Sequence, residues 1–402
     1  MSRRVVITGL GSISALGHNT DDFWDALRNG HCGISPFQNI STELLTTPIG
    51  AEVKNFNPSE YISPKDMALY DRFSQFALAA TTQAVQQASL DKSQLESAAV
   101  VLGTGCGSEE TYEDSYKRLY LDGKSRLHPL TVPRGMPCAA VSRVSIHFGI
   151  TGPVFSVSSA CSSSAHAIIQ AASMIRSGLV DVAITGGTEA PFAFGQIKAW
   201  EGLKVLSHDT CRPFSEDRSG LVLGEGSGVV VLESLEHARK RSAIILAELA
   251  GFGMSSDAGH ITAPSAEGAA KALKSALSDA AVSCSEVDYI NAHGTGTQAN
   301  DITETAAINS VFGDYATKLA VSSTKSMHGH PLGAAGGLEL VATVLAMHRS
   351  VVPPTVNFTK AGEGCDLDYV PNIARDMNIC VALSNSFAFG GLNAVLVVRS
   401  MD

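Results

Sequence analysis

Residues 154–178 constrain the fold of this chain more strongly than any other stretch. Phe155, Val157 and the β-branched or small residues between them predict a buried strand. The small residues of 158–164 then lead into a helix that is apolar on nearly every side until Arg176. Because a helix without a polar face has to be covered by other elements, this one is predicted to lie in the interior. With 37 glycines and 17% charged residues, the chain is expected to be a tightly packed α/β protein.

Cys161 lies where the predicted strand passes into this helix. At a helix start, unpaired backbone amides and the positive end of the helix dipole favour a thiolate, the nucleophilic form of cysteine. The small neighbours of Cys161 would let a substrate approach. A buried free cysteine without a chemical role fits the same residues, because cysteine is among the most buried residue types. Both interpretations stay open on these residues alone.

Composition and charge exclude several classes of protein. A net charge of -10 argues against a general nucleic-acid-binding protein, since contacts to phosphates need clustered Lys and Arg. The eight cysteines include no CxxC pair, which argues against a zinc site or a disulfide framework and favours reduced thiols. No apolar stretch approaches the roughly 18 residues of a membrane span, and glycine and serine interrupt the apolar run near the start that superficially resembles a signal peptide. We therefore expect a soluble, cytoplasmic protein.

The second half of the sequence repeats the pattern of the first. Its elements are a strand at 244–249, a helix at 266–281, a strand at 289–292 and then a strand, turn and apolar helix within AVSSTKSMHGHPLGAAGGLELVATVLAM. In this alignment His330 takes the place of Cys161. The glycine turn at Gly390 lies 60 residues after His330, and the one at Gly224 lies 63 residues after Cys161. The repeat predicts two halves, residues 1–242 and 243–402, with two helix starts directed at one central site.

Two glycine-rich segments are interpreted as turns. The strand Arg4–Thr8 is followed by GLG, and a dinucleotide-binding fingerprint is disfavoured there because its third glycine is missing. Gly220–Leu223 and Gly228–Leu232, joined by GEGSG, are predicted to form a hairpin. Residues 106–137 are interpreted as an insertion that forms an interface or a lid.

Three stretches have the composition of a loop that admits a ligand: SSACSSS at 158–164, NAHGTGT at 291–297 and KSMHGH at 325–330. Each follows a predicted strand. Taken singly, His293 and His330 fit structural roles at least as well as chemical ones. Together with the cysteine at a helix start, they form a Cys-His-His constellation.

An ordered set of motifs covers essentially the whole chain. The motifs are VVITGLGSISALG at the start, SSACSSSAHAI in the cysteine region, GGTEA at 186–190, RPFSEDRSGLVLGEGSGVVVLE at 212–233, NAHGTGTQAND at 291–301, STKSMHGHPLGAAGG at 323–337 and NSFAFGGLNA at 385–394. With them, the chain resembles β-ketoacyl-acyl carrier protein synthases of the elongating type II kind, within the thiolase-fold condensing enzymes. The resemblance implies a duplicated thiolase-like α/β fold, layered α/β/α/β/α, with two mixed sheets around buried helices.

The activity implied by this resemblance is a decarboxylative Claisen condensation. Cys161 would accept an acyl chain from a carrier-protein thioester. His293 and His330 would donate hydrogen bonds to the enolate that forms when malonyl-carrier protein loses carbon dioxide. The enolate carbon would then attack the acyl thioester. Lys325 and Glu339 resemble the buried lysine of the family and its partner carboxylate; a purely structural ion pair is an equally open interpretation.

Other residues implied by the resemblance bind the substrate or hold an oxyanion. Thr295 and Thr297 match hydroxyls that bind the phosphopantetheine arm, although threonines in a glycine turn are usually turn residues. Phe389 matches a gating phenylalanine, and its backbone N–H, with that of Cys161, would hold the oxyanion. For Phe387 and Phe389, ordinary core packing remains an open alternative.

Three features depart from the pattern of the family. Cys106 stands where relatives usually carry a larger aliphatic residue that lines the acyl pocket, so the pocket would be deeper or differently shaped. Ala388 and Leu392 stand where glycine and threonine are common in the gating turn, so the mobility of that turn would differ. SPKDMALYDRF keeps Lys65 and Arg72 in a region that docks the acidic carrier protein but is otherwise poor in basic residues, so docking would be weaker or depend on a partner subunit.

The resemblance also implies the partners. They are an acyl carrier protein, which presents substrates on its phosphopantetheine arm, and a second subunit in a homodimer or in a heterodimer with a related ketosynthase-like chain. No cofactor of its own, no metal and no nucleic acid is expected. Three alternatives remain. A non-catalytic or chain-length-setting subunit usually lacks the nucleophile, which this chain keeps, and a biosynthetic thiolase needs a second catalytic cysteine in the late glycine turn, where FAFGGLN has none. The third alternative is a metal site built on His293, His328 and His330.

Overall fold

A computed structural model describes residues 3–401, which form a mixed α/β structure. The strands are β1 (Val5–Ser14), β2 (Ser35–Pro36), β3 (Ile49–Gly50), β4 (Ala99–Gly103), β5 (Val154–Val157), β6 (Val182–Glu189), β7 (Gly226–Ser234), β8 (Ala247–Ser256), β9 (Tyr289–Asn291), β10 (Ala320–Ser322), β11 (Val351–Val352), β12 (Arg375–Asp376), β13 (Val381–Ala388) and β14 (Leu392–Arg399). The α-helices are α1 (Thr20–Arg28), α2 (Arg72–Ala88), α3 (Lys92–Glu96), α4 (Glu109–Tyr120), α5 (Thr131–Gly135), α6 (Ala139–Phe148), α7 (Ser163–Arg176), α8 (Phe194–Leu203), α9 (Leu235–Lys240), α10 (Ala266–Ala280), α11 (Gln298–Phe312), α12 (Lys325–His328) and α13 (Ala335–Arg349). Short 3-10 helices occupy Pro58–Glu60, Met67–Leu69, Cys284–Glu286, Gly313–Lys318 and Leu332–Ala334. None of these helices is long and apolar enough to cross a membrane.

Ten strands form one mixed sheet in the order β10-β9-β13-β14-β8-β1-β7-β6-β4-β5. Its two five-stranded halves meet where β1 pairs with β8, at Val6 opposite Glu248 and Ile7 opposite Ala247. The two mixed sheets implied by the family resemblance are therefore present as halves joined edge to edge through this short ladder. The predicted α/β fold class is confirmed.

The strand order of one half repeats in the other. From the central junction outward, the halves read β1-β7-β6-β4-β5 and β8-β14-β13-β9-β10. In both halves the first two pairings are antiparallel and the last two are parallel. The duplication is thus visible in the topology, whereas the division at residue 242 stays a prediction.

The equivalent helices α7 and α13 meet in the main core. Every residue of α13 from Ala335 to Met347 is buried, and α7 contributes its apolar residues to the same hydrophobic cluster. Gly336 lies close to α7, where a Cβ would be 3.1 Å from the backbone nitrogen of Ala165, so the missing side chain lets the helices approach. At their starts, the Ser164 hydroxyl donates to the carbonyl of Gly333. The prediction of an interior helix is confirmed, and the contact brings the segments before α7 and α13 together.

The prediction that Val154–Val157 is a buried strand is wrong. This strand, β5, lies at the outer end of the sheet and pairs with β4 alone among the described strands. Phe155 is 38% exposed. The residues are apolar enough for a core strand, but position in a sheet depends on distant partners, which local composition does not specify.

The prediction of a turn at GLG is also wrong, because β1 runs straight through it to Ser14. Helix α2 packs directly on this part of the strand, and a Cβ on Gly9 or Gly11 would overlap backbone carbonyls of that helix. Gln87 and Gln83 of α2 accept hydrogen bonds from the backbone of Leu10 and Ser12. The glycines therefore permit close packing of a helix on a strand.

The predicted hairpin around GEGSG does not form. Residues 220–223 pair elsewhere: Leu221 bridges Leu206, and Leu223 bridges His330. The second predicted strand is real but begins at Gly226, and β7 pairs with β1 and β6 instead. The glycines that suggested a hairpin turn instead let the chain pass close to the segment before α13, where a Cβ on Gly224 would approach the carbonyl of His328.

Candidate active site

A cavity opens beside the starts of α7 and α13, with about 520 Å³ of empty space that includes part of the open solvent. Cys161, His293 and His330 line it, and the ligand atoms of the three side chains all lie within 4.8 Å of one another. All three residues are buried, with exposures of 6% or less. The structure therefore brings together residues that are 169 positions apart at their widest separation, as the sequence predicted.

Cys161 lies in a sharp connection between β5 and α7. Ala160 has a left-handed φ of 50°, and the hydroxyl of Ser163 accepts from the backbone N–H of Ser159 at 2.9 Å. The Ser162 hydroxyl donates to the carbonyls of Ser386 and Leu392, at 3.0 and 2.7 Å, which ties this turn to the β13–β14 connection. The sulfur is thus held at the cavity by both halves of the sheet.

Burial raises the pKa of the Cys161 thiol to about 12, although the Lys325 ammonium and the backbone N–H groups of Phe389 and Cys161 oppose that rise. The expectation that a helix start favours the thiolate is wrong for this state, because α7 begins two residues later and removal from water outweighs the nearby donors. The thiol therefore stays protonated until a reaction partner removes its proton.

His293 is fixed at both its backbone and its ring. The Glu304 carboxylate accepts from the backbone N–H groups of His293 and Gly294, at 2.8 and 2.7 Å, and from Asn385 at 3.0 Å. The Lys325 ammonium lies 3.4 Å from His293 Nδ1. Because an ammonium can only donate, Nδ1 accepts and the ring proton is on Nε2. Burial, then Lys325, lowers the pKa of His293 well below 6.5, so the imidazole is neutral.

The backbone of His330 is held by residues 222–224, which belong to the segment wrongly predicted to form a hairpin. Its N–H donates to Val222 at 2.7 Å, and its carbonyl accepts from Gly224 at 3.0 Å. The ring centroids of His293 and His330 are 5.3 Å apart, with the planes at 84°. Burial lowers the pKa of His330 well below 6.5 as well. The site therefore holds two neutral imidazoles side by side.

Lys325 and Glu339 form an ion pair with no solvent exposure on either side chain. Burial raises the pKa of Glu339, and the Lys325 ammonium opposes this shift. The ammonium also touches His293, so the pair links α13 to one of the two rings. Its contacts reach the site directly, which places a cation behind the imidazole.

Four of the other predicted residues also line the cavity. They are Thr295, Thr297, Phe387 and Phe389. The Thr295 and Thr297 hydroxyls are 2.9 Å apart, and Thr297 also caps α11 by accepting from the N–H of Asn300. Phe387 is 7% exposed and lies beside the His293 ring, at 6.3 Å between centroids. These side chains present hydroxyls and aromatic rings to whatever enters.

Cys106 does not line this cavity. It packs in the apolar cluster around Cys161, and its sulfur accepts a hydrogen bond from Gln196 Nε2 at 3.3 Å. Its replacement of a larger aliphatic residue therefore does not leave the open space that the sequence suggested, because a side chain from α8 reaches it.

Three residues that the sequence analysis did not assign help to build the site. Glu189 accepts from Thr104, from the backbone N–H groups of 105–107 and from that of Gly333, so one buried carboxylate joins both halves near Cys161 and His330. Glu189 belongs to the motif GGTEA, to which the sequence alone assigns no role. Nothing in the residues around Glu304 in the sequence indicates that its carboxylate would hold the backbone of His293. Trp200 lines the cavity and stacks on Phe389 at 6.1 Å between centroids.

Arg72 is not available for docking a carrier protein. Its guanidinium pairs with the buried Glu225 carboxylate at 2.7 Å and donates to the carbonyl of Val53 at 2.8 Å. Lys65 is exposed, and residues 67–69 form a 3-10 helix next to it. The stretch that the sequence suggested as a weakened docking site is therefore even poorer in free basic groups.

The metal alternative named His293, His328 and His330, but the three ligand atoms that converge are those of Cys161, His293 and His330. The Nε2 atom of His328 bonds instead to the Thr324 hydroxyl at 2.9 Å. The Lys325 ammonium next to His293 would repel a metal cation at this site. The same three atoms are better suited to a thioester, for which a thiol and two N–H groups are useful.

Comparison with known proteins covers nearly the whole chain. The family model "Beta-ketoacyl synthase, N-terminal domain" matches residues 2–238, and "Beta-ketoacyl synthase, C-terminal domain" matches residues 246–359. Nodulation protein E of Rhizobium sp. (strain N33) is 48% identical over 403 residues and covers 100% of both chains. The 3-oxoacyl-acyl-carrier-protein synthase 2 of Coxiella burnetii (strain RSA 493 / Nine Mile phase I) is 44% identical over 406 residues, with 98% of each chain covered.

Solved structures give the same picture. The ishigamide ketosynthase/chain length factor superposes with a TM-score of 0.96 at 35% identity, covering 100% of both chains. A type II PKS acyl-carrier protein in complex with its ketosynthase bound to the hexaketide gives a TM-score of 0.90 at 33% identity, again covering 100% of both chains.

Proposed function

Since the chain belongs to the beta-ketoacyl synthase family, we propose that it condenses an acyl chain held on Cys161 with malonyl-acyl carrier protein, in fatty-acid or polyketide chain elongation. The product is a β-ketoacyl-acyl carrier protein. The observation that carries this proposal is the meeting of one thiol and two neutral imidazoles within 4.8 Å inside a cavity.

In the first half-reaction, the Cys161 sulfur attacks the thioester carbonyl of an acyl-carrier protein. The neutral His330 imidazole accepts the thiol proton, because the Nε2 proton and the hydrogen bond from Lys325 already occupy both ring nitrogens of His293, and the proton then passes to the departing phosphopantetheine sulfur. The negative oxygen that forms is stabilised by the backbone N–H groups of Cys161 and Phe389. The acyl chain is left as a thioester on Cys161, and no net charge is added to the buried site.

In the second half-reaction, malonyl-carrier protein loses carbon dioxide, and the electron pair of the broken C–C bond moves to form an enolate. His293 donates its Nε2 proton in a hydrogen bond to the enolate oxygen, and His330 supplies a second donor. Lys325 keeps the His293 tautomer in this orientation. The enolate carbon then attacks the acyl thioester, and the Cys161 sulfur leaves as a thiolate that takes up a proton from the solvent.

The direct test is transfer of an acyl group from acyl-carrier protein to the enzyme, followed by mass spectrometry of the intact chain and its peptides. We expect one acyl adduct on Cys161 and none in the Cys161→Ala variant. Cys365→Ala serves as the matched control, because it removes a buried thiol from another core cluster. An adduct that survives Cys161→Ala, or no adduct on the wild type, would contradict the proposal.

A second candidate function is a non-catalytic, chain-length-setting subunit. The similarity to the ishigamide ketosynthase/chain length factor makes a heterodimer of two related chains a specific alternative to a homodimer. We propose that this chain is the active member of any such pair, because it keeps Cys161 and both histidines. Native mass spectrometry of the protein, alone and co-expressed with a related chain, distinguishes the two assemblies.

We also propose a cytoplasmic location and a division into residues 1–242 and 243–402. All eight cysteines are unpaired, which suits a reducing compartment. The repeated strand order supports a boundary near α9, between β7 and β8. Fractionation of cells that express the protein tests the first point, and limited proteolysis around residue 242 tests the second.

A further inference from the structure

The turn between β13 and β14 carries a backbone N–H that the proposed reaction uses. Phe389 is the first residue after β13. Gly390 and Gly391 follow it with left-handed φ angles of 83° and 69°, and residues without a Cβ leave the chain free to adopt other conformations. The N–H of Phe389 acts on the Cys161 thiol, because it opposes the rise that burial causes in the pKa of that thiol. A group needed for the chemistry therefore lies in a turn that its own backbone restrains weakly.

An exposed loop holds the backbone of this turn through two hydrogen bonds. The N–H of Gly390 donates to the carbonyl of Ile261 at 2.7 Å, and the N–H of Asp257 donates to the carbonyl of Gly391 at 3.0 Å. Residues 258–263 of the loop are all exposed. Segments with exposed hydrogen bonds and few buried contacts open locally at low cost in free energy. These two bonds alone therefore do not fix the direction of the N–H that precedes them.

Trp200 contacts the same turn through the ring of Phe389. The two rings are stacked, with the planes at 23° and the centroids 6.1 Å apart. Trp200 also lines the cavity together with Cys161 and packs on the apolar cluster that contains the nucleophile. An aromatic pair of this kind is favourable beyond the apolar area that it buries. The indole therefore restrains the side chain of the residue that supplies the N–H.

Helix α8, which carries Trp200, is tied to the rest of the protein at both ends. At its start, the Glu113 carboxylate accepts from the backbone N–H groups of residues 194 and 195, at 3.2 and 2.6 Å. A carboxylate is favourable there, because it meets unpaired amides and the positive end of the helix dipole. Next to the indole, the Glu201 carboxylate accepts from the backbone N–H of Thr47 at 2.8 Å. The indole thus projects from a fixed element, against which the ring of a flexible turn can rest.

We propose that Trp200 is a positioning residue for the acylation of Cys161: by stacking on Phe389, it keeps the backbone N–H of Phe389 directed at the oxyanion. The inference rests on the proposed condensing function and adds a residue to it. An oxyanion hole is effective because its donors stand in place before the negative charge develops. A turn that samples other conformations presents its donor for only part of the time, and the rate falls by that fraction.

The experiment compares two reactions of the Cys161 thiol that differ in their need for an oxyanion hole. Acylation by synthetic hexanoyl-pantetheine passes through an oxyanion, whereas alkylation by iodoacetamide displaces iodide from a saturated carbon and forms none. Mass spectrometry of the intact chain follows both reactions. The thioester concentration is varied, because a lost contact with the substrate raises the concentration that gives half of the maximal rate, whereas a misplaced donor lowers the maximal rate itself.

Trp200→Leu keeps an apolar side chain in the cluster but removes the stacked ring. We expect the maximal rate of acylation to fall about 2- to 13-fold, which corresponds to about 0.5–1.5 kcal/mol for an aromatic pair. Alkylation should not slow down. Decarboxylation of malonyl-pantetheine should not slow down either, because its enolate oxygen is held by the two histidines and not by Phe389. Trp200→Phe keeps a ring at this position, so it should recover at least half of the loss.

Gly202→Ala is the matched control on the same helix, because a Cβ there meets no atom within 4 Å. It should leave both rates unchanged. An unchanged maximal rate of acylation in Trp200→Leu would overturn the assignment of Trp200. An equal fall in acylation and alkylation would overturn it as well, because a general loss of structure affects both reactions of the thiol.

The ratio of the two rates keeps the test decisive when a variant folds poorly. Both reactions are measured on one preparation, so an inactive fraction lowers both amplitudes and cancels in the ratio. If the wild type is alkylated by iodoacetamide but forms no acyl adduct with the thioester or with acyl-carrier protein, the proposed condensing function itself fails. A wild type that is acylated, with a Trp200→Leu variant that matches it, leaves the condensing function standing and removes only the inference about Trp200.

Discussion

The buried ion pair between Lys325 and Glu339 can be tested by removing the charge of one partner while keeping its shape. Glu339→Gln leaves the Lys325 ammonium in a site where neither side chain has solvent exposure. The remaining carboxylate near this ammonium is that of Glu304, which is already engaged with two backbone N–H groups and Asn385. The ammonium would therefore be left in the interior without a dedicated counterion.

The expected size of the effect follows from that burial. Breaking a buried pair by removing one partner costs about 3–5 kcal/mol, because the surviving charge is uncompensated. With about 2.1 cal/mol/K of unfolding entropy per residue, a chain of 402 residues has roughly 0.8 kcal/mol/K, so the melting temperature should fall by about 4–6 °C.

Differential scanning calorimetry of the wild type, Glu339→Gln, Lys325→Met and the double variant measures this directly. The double variant removes both charges, so it should melt above Glu339→Gln by at least half of the loss. A single variant that melts within 1 °C of the wild type, or a double variant that simply adds the two losses, would refute the argument that an unpaired buried charge is the cause.

Three further outcomes follow from the packing and the electrostatics. Gly11→Ala should lower the free energy of unfolding by about 3 kcal/mol or more, because its Cβ overlaps the backbone of α2. Gly202→Ala places its Cβ in open space and should change the free energy of unfolding by no more than about 0.5 kcal/mol. Urea denaturation of the two variants makes the comparison. Burial lowers the pKa of His328 from 6.5 to about 3, so its contribution to stability is present above pH 6.5 and is lost as the pH falls. Between pH 7 and pH 5, the free energy of unfolding of the wild type should therefore fall by about 2 kcal/mol more than that of His328→Asn. Equal losses in the two proteins would contradict this. Glu304→Gln should slow malonyl decarboxylation about 10- to 100-fold, because the Glu304 carboxylate positions His293, but it should leave acylation of the cysteine unchanged. Separate single-turnover assays measure the two steps. An equal loss in both steps would indicate a general folding defect instead.

Burial shifts the pKa values of the acids and of the bases in this site in opposite directions. Burial raises the pKa of Glu304 and of Glu339 but lowers the pKa of His293 and of His330. In every case removal from water disfavours the charged form. The imidazoles are consequently neutral, and each carries an N–H group that can donate to an enolate oxygen, which suits the proposed second half-reaction.

Local features of the sequence were sufficient to predict the α/β class, the duplication and the three residues around the cavity. The apolar helix at 163–176, its counterpart after His330 and the glycine-rich loops before them are patterns of neighbouring residues. Periodicity of this kind reports which elements form and which face is buried, because both depend on spacing along the chain. The aligned helix starts then predicted that Cys161 and His330 would meet.

Only the tertiary structure decided which elements become partners. Apolar β5 lies at the edge of the sheet, the glycines of β1 admit α2, and residues 220–224 hold His330 instead of forming a hairpin. Glu189 and Glu304 bind backbone groups from distant segments, and the pKa of Cys161 depends on how completely the fold removes it from water. Pairing and desolvation are set by residues far apart in the chain, so no window of the sequence contains the information that determines them.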